Sequence, residues 1–333
     1  MKKYITSFIL ASSALTLSNN VQAGDWQKFF SNMFTTAGSK SVTNDEGKNI
    51  EKFATGNCTG QNPWGQPLIK DENVMKRSLF ICRAAFSMQY DSVNKIPLWV
   101  SEILVKDNII NPPPAGLKFL PIQLDDDLPA GMQVKLEEYK GTVYEPAQLA
   151  PYGDLYIHHA GITPEELLAI NQSSIIEGSY ASNTLPMVSS LKKGLWQQLE
   201  SQIRVSINAP NRQQLYTLTG PIYFNGQNKG TIGKKGVQIP THFYKIVVDP
   251  GTDGSLSYVI PNQDILAAGY RNSSKSPYTC GGGACSLNNF IVSMKEVERL
   301  TGFTFFPKLA PIYATKVKLD PSLLNKKNEA GLK

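Results

Sequence analysis

The chain has 333 residues, with 41% hydrophobic and 18% charged side chains and a formal charge of +6. That length suits one large domain or one domain with elaborations. The mild charge excludes a basic nucleic-acid-binding arm, though it permits a polyanion as partner.

The first residues run MKK, then ITSFILASSALTLS, then VQA before Gly24. A basic start, an apolar stretch shorter than a bilayer span and small residues at the cleavage point predict a secretory signal peptide over Met1–Ala23. An uncleaved anchor is disfavoured by Asn19, Asn20 and Gln22, which follow the apolar run closely. Removing Lys2 and Lys3 with the leader lowers the charge from +6 to +4, and no later segment is apolar enough to span a membrane. The mature protein is therefore expected to be exported, to a periplasm or beyond the cell.

Residues 24–59 are polar and read as a lead-in with a short helix around DWQKFFSNMF. The four cysteines, Cys58, Cys82, Cys280 and Cys285, lie in the exported part. An even count there favours disulfides, and sequence leaves three connectivities. CGGGAC can fold back on its glycines, which favours Cys280–Cys285 and leaves Cys58–Cys82. No CxxC pair or nearby histidine supports zinc.

LFICRAAFSMQYD alternates and reads as a strand pairing with PLWVSEIL across DSVNKI. Asp125, Asp126 and Asp127 lack the glycine and distal glutamate of a calcium loop and read as a solvated turn. TPEELLAINQ predicts a helix that Thr163 caps, with Pro164 at its first position and Glu166 three residues after the cap. SSLKKGLWQQLESQIRVSI predicts another, with Leu191, Leu195, Leu199 and Ile203 in one apolar stripe. QLYTLTGPIYF, THFYKIVVDP and LSYVIPNQ read as strands, and VSMKEVERLTGFTFFPKL as an amphipathic helix stopped by Gly302. The pairs Lys192–Lys193, Lys234–Lys235 and Lys326–Lys327 alone read as solvated surface, and His242 as a packed histidine. With no repeat and no interior linker, one α+β domain is expected, a central antiparallel sheet flanked by helices.

Seven segments together carry more than any one: WGQP at Trp64, PLWVSEIL, SNTLPMVSSLKKGLWQQLE from Ser182, YTLTGPIYF from Tyr216, PTHFYKIVV from Pro240, YVIPNQ from Tyr258 and VERLTGFTFFPKL from Val297. Their order and spacing resemble the DNA/RNA non-specific endonucleases of the ββα-metal type. The resemblance covers roughly residues 60–312 and leaves 313–333 as a C-terminal tail. It implies phosphodiester hydrolysis, with a histidine as general base, a magnesium ion held largely by an asparagine, and an arginine on the same helix supporting the leaving group.

The family motif S-G-Y-D-R-G-H-L-A-P falls here on TVYEPAQLAP. Thr142, Tyr144, Leu149, Ala150 and Pro151 match, but the four reactive positions hold Glu145, Pro146, Ala147 and Gln148. Glutamine can orient water but cannot take its proton. A competing register puts His158 at the base position. The preferred register leaves His158 and His159 inside an insertion.

On the next helix, Lys192 stands where the resemblance implies the magnesium-binding asparagine, and Glu200 and Arg204 where it implies the helix glutamate and arginine. At about 100° per residue these three span roughly a third of the helix circumference. The resemblance thus implies no certain cofactor, with magnesium only if other residues rebuild its site. Two functions follow from this mixture, and a third, a phosphodiesterase acting on a different substrate, stays open because the resemblance fixes the scaffold and not the contents of the cleft. In one, His158 or His159 acts as base, Lys192 supplies the positive charge that magnesium would have brought, and with Glu200 and Arg204 they form a metal-independent nuclease. In the other, Lys192, Lys193 and Arg204 line a basic cleft that holds nucleic acid or another polyanion without catalysis, as a binding, structural or adaptor protein of the envelope. A homodimer is compatible with both.

Overall fold

A computed structural model describes residues 41–43, 49–51, 58, 60–158, 161–209, 212–233, 236–251, 254–264 and 285–309. The predicted signal peptide, the helix around DWQKFFSNMF, His159, Lys234, Lys235, Cys280, Lys326 and Lys327 lie outside them. Within the lead-in, Ser41–Thr43 pairs antiparallel with Asn49–Glu51.

The centre is a seven-stranded sheet, every neighbouring pair antiparallel. In chain order its strands are β1 (Ser78–Cys82), β2 (Phe86–Asp91) and β3 (Ile96–Val105). After a separate pair, β4 (Tyr144–Gln148) and β5 (Thr184–Val188), come β6 (Gln214–Ile222), β7 (His242–Asp249), β8 (Gly254–Pro261) and β9 (Ile291–Val292). Their order across the sheet is β9-β8-β7-β6-β3-β2-β1. The middle strands are rich in β-branched and aromatic residues and are buried on both faces because helices cover both.

One face packs Val100, Leu104, Leu215, Phe243 and Val247 against Leu191, Leu195, Leu199 and Ile203, so the apolar stripe read from the sequence is the core face of that helix. The other packs Leu218, Tyr244, Ile246 and Val259 against Met294, Val297, Phe305 and Phe306. The architecture is the expected α+β sheet flanked by helices.

The helices are α1 (Pro164–Gly178), α2 (Gln197–Ser206) and α3 (Met294–Thr301). Thr163 and Glu166 form a full capping box at α1, satisfying backbone donors that the helix start leaves unpaired. Gly302 ends α3 in the left-handed region at φ 74°, which a side chain rarely adopts. The predicted helix around α2 is not uniform: Ser189–Leu191 leads into a wide π turn at Lys192–Trp196, where Gly194 takes φ −109° and ψ −110°.

Two expectations need correction. LFICRAAFSMQYD is two strands rather than one, because the chain reverses at Arg83, whose N–H donates to the Phe86 carbonyl at 2.8 Å. The three aspartates are a solvated turn only in part: Asp126 is exposed in a turn, but Asp125 is buried and takes two hydrogen bonds from the Arg83 guanidinium, at 2.9 and 2.8 Å, while Asp127 also pairs with it. A buried guanidinium needs such partners.

The Cys58–Cys82 disulfide is present, with a Cα–Cα distance of 5.8 Å. Cys285 is also disulfide-bonded, though Cys280 lies outside the described residues. Among the described residues no helix is long and apolar enough to cross a membrane.

Candidate functional site

β4 and β5 pair antiparallel from Tyr144↔Val188 to Gln148↔Thr184, and the helix beginning at Ser189 follows β5 directly. This strand, strand, helix unit carries the degenerate motif on β4. Asn183 clamps the two residues after that strand: its carbonyl accepts from Leu149 N at 2.9 Å, and its side-chain oxygen accepts from Ala150 N at 3.0 Å. Leu149 and Ala150 are fully buried, so apolar burial and this clamp fix the end of β4.

Gln148 is the last residue of β4, and its Nε2 donates to the Gly178 carbonyl at the end of α1, 2.7 Å away. The side chain is a structural tie between strand and helix. His158 lies ten residues further on, half-buried, with its backbone N donating to Asn108 Oδ1 at 2.8 Å. His242 is buried on β7, where burial and the charge of Lys229 push its pKa down to about 4.

The cations of the helix separate into two groups. Lys192 reaches back to β4, its Nζ 2.9 Å from the Pro146 carbonyl and 3.5 Å from Glu145 Oε2. Lys193 Nζ donates to Glu145 Oε1 at 2.6 Å, and Ser189 Oγ donates to the same oxygen at 2.6 Å. Hydrogen bonds from Lys193 and Ser189, with the charges of both lysines, hold the Glu145 carboxyl down at about 2.

The second group is set deeper, with Arg204 half-buried over buried carboxylates. Arg204 Nη1 donates to Asp154 Oδ1 at 2.7 Å, and the Asp154 side chain is 2% exposed. Glu200 is buried and accepts from Trp196 Nε1 at 2.8 Å. Beneath it, Lys245 on β7 lies 3.9 Å from Glu102 on β3, both fully buried. Glu102 Oε2 accepts from Thr217 at 3.1 Å.

Burial raises Glu200 to about 7, with Asp154 adding to the shift and Lys245 and Arg204 opposing it. Burial also raises Glu102 to about 8, again opposed chiefly by Lys245. Three carboxylates with two cations in a dry site favour holding a proton there.

The sequence reading missed Asp154, Glu102 and Lys245. Glu102 and Lys245 were visible as lone charges inside the apolar strands PLWVSEIL and HFYKIVV. Asp154 had no such signal, since it lies in the stretch read as an insertion.

The donor set at the motif does not fit a magnesium ion. An ammonium, a lysine-paired carboxylate and an amide bound to a backbone carbonyl are the groups present, and a protonated lysine repels a divalent cation. Among the described residues no cluster of three or more His, Cys, Asp or Glu is placed to hold a metal.

Comparison with known proteins places this geometry. Residues 65–311 match the DNA/RNA non-specific endonuclease family. Nuclease C1 of Cunninghamella echinulata var. echinulata is 26% identical over 243 residues, covering 69% of this chain and 83% of that protein. The mitochondrial nuclease EXOG of Mus musculus is 24% identical over 237 residues, covering 67% of this chain and 55% of that protein, so the chain spans about half the length of that relative. A chain from the crystal structure of the EndoG/EndoGI complex superposes with a TM-score of 0.57 at 22% identity, covering 76% of this chain and 92% of that one. With the ββα unit in place and the family match running over most of its length, the chain belongs to the DNA/RNA non-specific endonuclease family.

Proposed function

We propose that this protein binds nucleic acid in the family cleft and does not hydrolyse it by the magnesium-dependent route. The observation that supports this reading is the contact of Lys192 Nζ with the Pro146 carbonyl at 2.9 Å: a fixed positive charge stands where a metal ligand is needed. Gln148 at the base position cannot accept a proton, and its amide is held by Gly178. The positive groups assigned to the polymer are Lys192, Lys193 and Arg204, with Glu145 and Asp154 tempering them. The leader-like start assigns it to a periplasm or to the outside of the cell.

The test is fluorescence anisotropy of labelled single-stranded and duplex oligonucleotides in chelator. Saturable binding that weakens steeply with salt supports the reading. Absence of binding to any oligonucleotide would overturn it and favour the structural or adaptor role.

A further inference from the structure

A cleft of about 600 Å³ opens beside the degenerate motif. Val143 and Val188 give the cleft apolar surface, Ser190 and Lys193 come from the adjoining helix, and Lys229 and Asp264 also line it. Nucleotide-sized ligands occupy clefts of roughly 300–1,000 Å³. The last two residues follow β6 and β8, so the cleft recruits segments outside the ββα unit.

Two features of this cleft call for a ligand. Ser190 Oγ is buried and, among the described residues, has no hydrogen-bond partner, so it meets a ligand by rotating its side chain into the cleft; such orphaned groups are rare in folded proteins. Lys229 Nζ donates to the Asn262 carbonyl at 2.5 Å and makes no ion pair with a described carboxylate. Although Lys229 is exposed as a residue, its ammonium is tucked against that carbonyl, and desolvation lowers its pKa. An anion would relieve both, since it supplies a charge-assisted acceptor to the ammonium and an acceptor to the hydroxyl. Lys193 differs from Lys229 because Glu145 already holds it, at 2.6 Å.

The geometry points to a phosphate-ester subsite in this cleft, with Lys229 as its principal cation, Ser190 as hydroxyl donor, and Val143 and Val188 against the sugar or base. Asp264 also lines the cleft and already has a partner of its own, so no ligand contact is assigned to it. The inference rests on the proposed nucleic-acid binding and deepens it by naming the place where a phosphate sits. The same phosphate chemistry comes from a polynucleotide or from a free nucleotide.

The experiment titrates the mature protein, Lys229→Gln and Ser190→Ala with adenosine 5′-monophosphate, inorganic phosphate and a labelled single-stranded 20-mer, with Lys70→Gln as a remote control. Lys229→Gln is expected to weaken the monophosphate and the 20-mer by about tenfold, with a smaller loss in Ser190→Ala and none in Lys70→Gln. Equal binding of the 20-mer by wild type and Lys229→Gln would overturn the subsite while leaving the nucleic-acid reading standing. Monophosphate binding lost in Lys229→Gln, without any binding of the 20-mer, would support the subsite and overturn the nucleic-acid reading. Inorganic phosphate bound as tightly as the monophosphate would overturn the role of the apolar surface.

Discussion

Lys192 donates its ammonium to the Pro146 carbonyl across 2.9 Å, bridging the helix to the strand that carries the degenerate motif. The carbonyl gains a charged donor and Glu145 a second cation, so the ββα unit is closed on itself by lysine. Lys192→Asn alone is expected to leave the protein without hydrolytic activity, because Gln148 is still no base. The pair Gln148→His with Lys192→Asn is expected to gain magnesium-dependent nicking of supercoiled plasmid. Nicking by the single variant would show that the base lies elsewhere.

Lys245 and Glu102 are both fully buried at 3.9 Å, and above about pH 8, where the raised Glu102 carboxyl carries its charge, removing the lysine leaves that charge uncompensated. At about pH 9 Lys245→Met is expected to cost about 3–5 kcal/mol, read from urea unfolding followed by circular dichroism. A loss below about 1 kcal/mol would show that the carboxyls are neutral without the lysine.

The pH dependence of stability has a definite sign. Glu200 is raised to about 7 when folded, so between its ordinary carboxylate range and that value the folded state holds more protons than the unfolded one. Its contribution therefore falls as pH rises from about 4.5 to about 7. Glu200→Gln should remove part of this decline, so its stability relative to wild type rises with pH across that window. Glu145 and His242, with pKa values held down to about 2 and about 4, act oppositely: their contributions are lost as pH falls. Urea midpoints at pH 5, 6, 7 and 8 for both proteins decide it, and parallel profiles would contradict the assignment.

Thr163→Ala removes the capping box at α1. The expected cost is about 1 kcal/mol, a fall in Tm of roughly 2–4 °C by thermal unfolding. An unchanged Tm would mean that packing alone fixes the helix start.

Features set by local chemistry were legible in the sequence. The Thr163 cap, the Gly302 stop and the leucine stripe depend on residues within a few positions of one another, and all three stand in the structure. The scaffold was legible by a different route, the family resemblance that the seven ordered segments carry. Long-range pairing was not legible: Arg83 and Asp125 are 42 residues apart, and neither spacing nor composition announces their contact. The π turn at Lys192–Trp196 also escaped, because a regular helix of about 100° per residue cannot represent it, and it leaves Lys192 directed at β4 while Glu200 and Arg204 meet Trp196 and Asp154.

The most direct test of an ammonium in place of a metal ligand is cleavage itself. Purified, oxidised mature protein in excess over labelled DNA and RNA is incubated with magnesium and, separately, with chelator, and binding is followed in the same samples. The account predicts intact polymer in both conditions at protein levels where the polymer is bound. Cleavage that requires magnesium would contradict it outright, and cleavage that survives chelator but disappears in a His158→Ala/His159→Ala variant would establish the metal-independent nuclease instead.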